Sequence, residues 1–249
     1  AADLAAAELR RHARLRLGSR LDAVRDGDGG VTAVVDGTQE RADLVILATG
    51  VRPATRLLIE AGARHLPDRS VVVDPGMRTS LPGIFAAGDS VALPHLVLGR
   101  RSWVPLGPAA NKTGRVAGTV AAGGTASFGG IVGTAVVKVF GLEVARTGLS
   151  LADADAAGLA AVGTDVTSRS RAKYYPGGSP LHVRLVHAAG GRLLGAQLAG
   201  REGAARPAGN DDAGGQRHRG AEQRPAAHAR LPVQQLTNRR LQLIKRGRH

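Results

Sequence analysis

The sequence predicts an α/β unit followed by an α+β unit. Three observations carry this. Two apolar runs, 44–48 and 84–87, contain no polar residue and stop close to a glycine, as strands buried on both faces of a parallel sheet do. A helix-forming stretch from 108 to about 121 follows the second run. Beyond Phe128 come several short strand segments, with a hairpin turn at 189–191, which read together as an antiparallel sheet with a helix.

The elements follow in order. Residues 2–13 are rich in Ala, Leu and Glu and form a helix by propensity. Leu15 and Leu17 alternate with arginine, as in a half-buried strand. Turns at 26–30 and at Asp36-Gly37 bracket a hairpin arm at 31–35, and 44–48 is a buried strand. A turn at Pro75-Gly76 precedes Met77. Pro108 sits in the first turn of the next helix, where its missing N–H is one that the helix leaves unpaired anyway. Gly123 and Gly124 stop that helix. In the second unit, strands are expected at 135–140, 143–145, 166–167, 181–186 and 192–198, with a hairpin turn at 189–191. Between them Ser150 caps a short helix that carries Asp153 in its first turn.

Composition narrows the function. The chain has 249 residues, is 43% hydrophobic and only 2% aromatic, so its cores are built from Ala, Val, Leu and Ile. The net charge of +14 invites a nucleic-acid reading. Half of that excess falls in 201–249, with 11 Lys+Arg against 4 Asp+Glu, and the rest forms no dense stripe. A specific nucleic-acid partner is therefore not expected, although Arg239, Arg240, Lys245, Arg246 and Arg248 would hold phosphates non-specifically. No apolar run is long enough to span a membrane. The absence of cysteine fits a reducing compartment, and the expected setting is cytoplasmic. The eight histidines show no metal spacing and are all expected at the surface; no metal ligands are assigned.

The run TSLPGIFAAGD at 79–89 is the most informative segment. It reads as an edge turn, a buried strand at 84–87, and a carboxylate, Asp89, delivered past the strand's C-terminal end, where open α/β sheets bind ligands. Gly88 lets a ligand approach, having no Cβ. The run resembles the second flavin-binding motif of the pyridine nucleotide–disulfide oxidoreductases, closest to their coenzyme A-disulfide reductase and NADH oxidase/peroxidase branch. DLVILATGVRP at 43–53 is similar to that family's crossover from the nicotinamide domain to the flavin domain. WVPLGPAAN at 103–111 resembles the start of the helix aimed at the flavin ring. FGLEVARTG at 140–148, YYPG at 174–177 and LLGAQLAG at 193–200 resemble its dimerisation domain. The likeness covers roughly residues 1–203.

The resemblance implies a division of the chain. Residues 1–48 would be a remnant of the NAD(P)-binding domain and 49–124 the end of a Rossmann-like FAD-binding domain. Residues 128–203 would be part of an α+β dimerisation domain. An aberrant, disordered tail would occupy 204–249. From Arg206 that tail has no aromatic residue, no aliphatic larger than alanine before Leu231, and no sustained period, as expected of a reading-frame shift in GC-rich DNA.

The resemblance also implies roles. Asp89 would hold the ribityl hydroxyls of FAD, with Ala87 and Gly88 beside it; the alternative for Asp89 is a cap after a strand. Thr79 shapes the turn. Thr49 and Gly50 either line the flavin or permit a tight turn. Leu106, Gly107 and Pro108 would turn backbone amides towards the ring, or form an ordinary loop-to-helix junction. Tyr174 and Tyr175 would either reach a partner subunit's active site or pack as an aromatic pair at an interface. No catalytic residue is assigned otherwise.

The implied parent is a homodimeric FAD-dependent NAD(P)H oxidoreductase acting on a small-molecule disulfide, peroxide or oxygen. Three things such a flavoenzyme needs are absent: G-x-G-x-x-G turns for FAD and for NAD(P)H, and a redox cysteine. The chain therefore reads as a C-terminal fragment, inactive in isolation and holding FAD weakly or not at all. The alternative reading is a non-enzymatic remnant or dimerisation module.

Overall fold

Alanine, leucine and glutamate propensity produces the first helix. The computed structural model describes residues 1–27 and 29–205, so the expected tail falls outside the described residues beyond Ala205. Helix α1 (Ala2–His12) ends on the basic residues Arg10, Arg11 and His12, a placement that suits the negative end of the helix dipole. Its buried Glu8 accepts the Gly141 N–H at 3.1 Å, and His12 stacks on Phe140 with centroids 3.9 Å apart. These contacts dock α1 on a hairpin far along the chain.

The expected strand at Leu15 and Leu17 does not form: neither residue lies in a strand, only the preceding Arg14 makes an isolated bridge, and Leu17 is exposed. Strands β1 (Leu21–Gly27), β2 (Gly30–Val35) and β3 (Thr38–Ala42) instead make an antiparallel meander. Between β2 and β3 the chain turns on Asp36 and Gly37, at φ 50° and 76°, the left-handed pair that a tight hairpin needs.

The expected buried strand at 44–48 is also absent. The segment lies outside every strand, with Leu44 69%, Ile46 68% and Leu47 61% exposed. A central parallel strand takes its hydrogen bonds and its cover from neighbours on both sides. Among the described residues no strand pairs with it.

Helix α2 (Arg56–Glu60), unmarked in the sequence reading, leads to β4 (Val71–Val72). Strand β4 runs parallel to β5 (Val91–His95), and β6 (Arg100–Ser102) pairs antiparallel with β5. Val71, Val73, Met77, Val91, Leu93 and Ile131 form the core of this unit. Helix α3 (Gly107–Ala121) packs Val116 and Ala117 against it. As expected, α3 ends at its glycines: Gly123 has φ +84°, and the Gly124 N–H donates to Thr119 O at 2.9 Å.

The second unit is a five-stranded antiparallel sheet. In chain order its strands are β7 (Ala135–Val139), β8 (Leu142–Gly148), β9 (Ala161–Arg169), β10 (Pro180–Ala188) and β11 (Leu193–Gly200). They lie side by side as β7-β8-β11-β10-β9. Most are longer than their sequence pattern indicated, β9 most of all, because pairing extends strands past their apolar residues. Helix α4 (Leu151–Ala156) carries the expected Ser150 cap as a full capping box: the Asp153 N–H donates to Ser150 Oγ at 3.1 Å, and the Ser150 N–H to Asp153 Oδ2 at 3.0 Å.

His95 ties the two units together. It is the exception among histidines expected at the surface, being only 5% exposed. Its Nδ1 accepts the Leu98 N–H at 3.4 Å, while Val97 and Leu98 pack on the core of the five-stranded sheet. Burial, then the nearby Arg146 and Arg100 charges, hold its pKa below the ordinary value, against an opposing pull from Asp153. The folded state thus binds a proton less readily than the unfolded chain. Stability is full above the unfolded value near 6.5 and falls as pH drops below it. Thermal melts from pH 7.5 to 5.5 are expected to show this loss in the wild-type chain, and His95→Gln is expected to flatten it.

Candidate functional site

The segment 79–89 is a turn followed by a loop, not a turn followed by a strand. Thr79 Oγ1 donates to Ile84 O at 2.9 Å and accepts the Leu81 N–H at 3.1 Å. The Thr79 N–H also donates to Ile84 O, and the Ala86 N–H to Met77 O. The two backbone bonds make an isolated antiparallel bridge between Arg78 and Phe85, so 84–87 pairs at one residue with the preceding turn and not within a central parallel sheet, and Ile84 is exposed. The buried parallel strand is the next one, β5. Asp89 therefore lies ahead of a buried strand, within a 3-10 turn at Gly88–Ser90, and not beyond a strand's end.

Three contacts fix that turn. Gly88 has φ +75°, a conformation that glycine adopts without strain. Its N–H donates to Thr113 Oγ1 on α3 at 3.0 Å. Trp103 Nε1 donates to Asp89 O at 2.7 Å. The Asp89 carboxylate is exposed and makes no hydrogen bond or ion pair among the described residues. Beside it α3 begins at Gly107 with Leu106 as an N-cap that supplies no side-chain bond, and Pro108 falls in the first turn. The Gly107 and Ala109 N–H groups have no partner within the helix. Space next to Gly107 is open: no atom lies within 4 Å of where a Cβ would stand. An unpartnered carboxylate thus sits next to an uncapped, electropositive helix end.

Other expected site residues lie apart from this pair. The bonds that pin Gly88 and Asp89 run to α3 and Trp103, not to Thr49 or Gly50, which are exposed in the extended segment after β3. Tyr174 and Tyr175 lie in the loop between β9 and β10, 89% and 56% exposed. The base of that loop is fixed by Ser170 Oγ and Arg171, which donate to Glu202 at 2.6 and 2.8 Å. Arg171 also lies over the Tyr175 ring at 5.6 Å.

Sequence reading missed Thr113 and Trp103. A signal for Thr113 exists: Ala109, Thr113, Val116 and Val120 share one face of α3, and a hydroxyl within an apolar stripe needs a partner.

Residues 1–114 match the family described as pyridine nucleotide-disulphide oxidoreductase, and 134–208 match that family's dimerisation domain. The chain belongs to the pyridine nucleotide-disulphide oxidoreductase family. It is 34% identical to the NAD(P)H sulfur oxidoreductase (CoA-dependent) of Pyrococcus furiosus, over 80% of this chain and 46% of the relative. It is similar to the structure of an NAD-dependent persulfide reductase from A. fulgidus, with TM-score 0.80 and 34% identity, over 86% of this chain and 41% of the other. An FAD-dependent pyridine nucleotide-disulphide oxidoreductase from Desulfovibrio vulgaris matches with TM-score 0.71 and 35% identity, over 82% of this chain and 49% of that one. The chain spans about half the length of the curated relatives it matches.

As a member of the oxidoreductase family, the chain fits one end of a flavin. A ribityl chain offers hydroxyl donors, and the Asp89 carboxylate is an acceptor without a competing partner among the described residues. The open helix start at Gly107 suits the electron-rich side of a flavin ring. Nothing equivalent fits the pyrophosphate, because the sequence has no G-x-G-x-x-G turn.

Proposed function

We propose that this chain is the part of an FAD-dependent NAD(P)H oxidoreductase that binds the flavin's ring-and-ribityl end and forms the dimer, with the proton and electron chemistry completed by residues outside it. The observation that carries this reading is the Gly88–Asp89 turn bonded against the start of α3. The proposed substrate class is a small-molecule disulfide such as coenzyme A disulfide, or peroxide or oxygen, in a cytoplasmic setting. Bound FAD would take hydride from NAD(P)H and pass electrons on. Asp89 would orient it through the ribityl hydroxyls, and the Gly107 and Ala109 amides would face its ring. We assign 1–48 to the NAD(P)-binding domain, 49–124 to the FAD-binding domain and 128–203 to the dimerisation domain of a homodimer, with Tyr174 and Tyr175 turned towards the partner.

The chain alone is expected to be inactive, because it has no thiolate to receive electrons and no dinucleotide turn to bind NAD(P)H. The check is NADH and NADPH consumption by pure chain with added FAD and disulfide. The expected rate equals that of free flavin, and turnover above it contradicts the proposal. The second reading, a non-enzymatic dimerisation module, is favoured by the five-stranded sheet that 135–200 form; a dimer that binds no flavin would support it.

A further inference from the structure

The apolar stripe of α3 carries one hydroxyl, and that hydroxyl joins the two halves of the flavin site. Thr113 is fully buried. Its Oγ1 accepts the Gly88 N–H at 3.0 Å and donates to Ala109 O at 2.8 Å, with Ala110 O at 3.1 Å as the alternative acceptor. Gly88 immediately precedes Asp89, and Ala109 lies in the first turn of α3 beside Pro108. We propose that Thr113 is a positioning residue that sets the distance between the ribityl-binding carboxylate and the ring-facing helix start. This rests on the flavin reading above.

A threonine hydroxyl has one hydrogen, and here it goes to the helix backbone, which leaves an Oγ1 lone pair aimed at Gly88. Valine fills the same space without the hydroxyl. It would leave the Gly88 N–H facing a buried methyl group, and the turn would move to find another partner. Asp89 would move with it, because the carboxylate is attached to the next residue. Serine keeps the hydroxyl and loses only a methyl group.

The test compares the wild-type chain with Thr113→Val, Thr113→Ser and a control, Val73→Ala. Val73 is buried in the core on which α3 packs and is assigned no role in the flavin site. Two quantities are read: the Kd for FMN, and the emission of Trp103, the only tryptophan, which is bonded to the same turn. Thr113→Val is expected to weaken FMN binding about tenfold and to red-shift Trp103 emission. Thr113→Ser is expected to stay within about twofold of wild type in Kd, by the same hydrogen-bond argument. Val73→Ala is expected to lower the melting temperature and leave the Kd unchanged below it. A Thr113→Val chain that binds FMN as wild type does, or a serine variant as weak as the valine one, overturns the positioning role alone. A wild-type chain that binds no FMN overturns the flavin reading and the role of Thr113 with it.

Discussion

Gly195→Ala is expected to destabilise the five-stranded sheet strongly. A Cβ at Gly195 would stand inside contact distance of the Leu149 backbone O and N, and none of those atoms is free to move. The Leu149 N–H donates to Leu194 O at 2.9 Å, closing the end of β8 against the start of β11. The residue paired with Gly195 is Gly148, which is itself at φ +61° and equally crowded against Leu194. Two facing glycines let the backbones approach there, and a methyl group would force them apart. Overpacking commonly costs 1–3 kcal/mol; with backbone as the neighbour on both sides we expect at least about 3 kcal/mol. For a unit of this size that corresponds to a fall in melting temperature of more than about 12 °C. Circular-dichroism melts of wild type and Gly195→Ala provide the check, and a difference under about 2 °C would contradict the packing argument.

Asp89→Ala carries the largest expected effect on ligand binding. Among the described residues the carboxylate makes no bond, so its removal leaves none of them unpaired and their fold should not change. What is lost is the acceptor for the flavin hydroxyls. Hydrogen bonds to a charged group contribute about 1.5–3 kcal/mol, which converts to a rise of roughly 10- to 150-fold in the Kd for FMN. The melting temperature should stay within about 2 °C of wild type, since surface changes rarely exceed about 0.5 kcal/mol. Equal affinity of the two proteins for FMN would exclude Asp89 from the site. In this proposal Asp89 would act through contact with the ligand, and Thr113 only through the position of the turn.

These effects sort by how far apart the interacting residues lie in sequence, and so does what the sequence made legible. The Ser150 cap and its bond to Asp153 span three residues, and both were readable from residue type alone. The end of α3 at Gly123 and Gly124 was equally local. Strands β10 and β11 were legible as apolar segments flanking the glycine turn at 189–191, and β11 is buried on both faces, Ala196 and Leu198 in one core and Leu194 in the other. The run 84–87 was misread because an apolar stretch suits a strand or a turn equally well. The choice was made by the Thr79 side chain, bonding across five residues. The Thr113–Gly88 bond spans 25 residues, and no local pattern encodes it. His95 was misplaced for the same reason: its burial comes from the second unit, whose strands begin 40 residues later. Segment 44–48 has the composition of a central strand and the exposure of a link. Its state depends on neighbours that are not among the described strands.

The most direct test of the account is an equilibrium titration of the wild-type chain with FMN and with FAD, followed by Trp103 fluorescence. The site proposed here holds the ring and ribityl end and has no cradle for the pyrophosphate. Both flavins are therefore expected to bind one per chain, with Kd values within about threefold of each other, because contacts outside the shared ring and ribityl groups contribute little. FAD is expected to be lost on gel filtration. The account is contradicted if neither flavin saturates the signal, or if FAD alone binds and remains with the protein through the column.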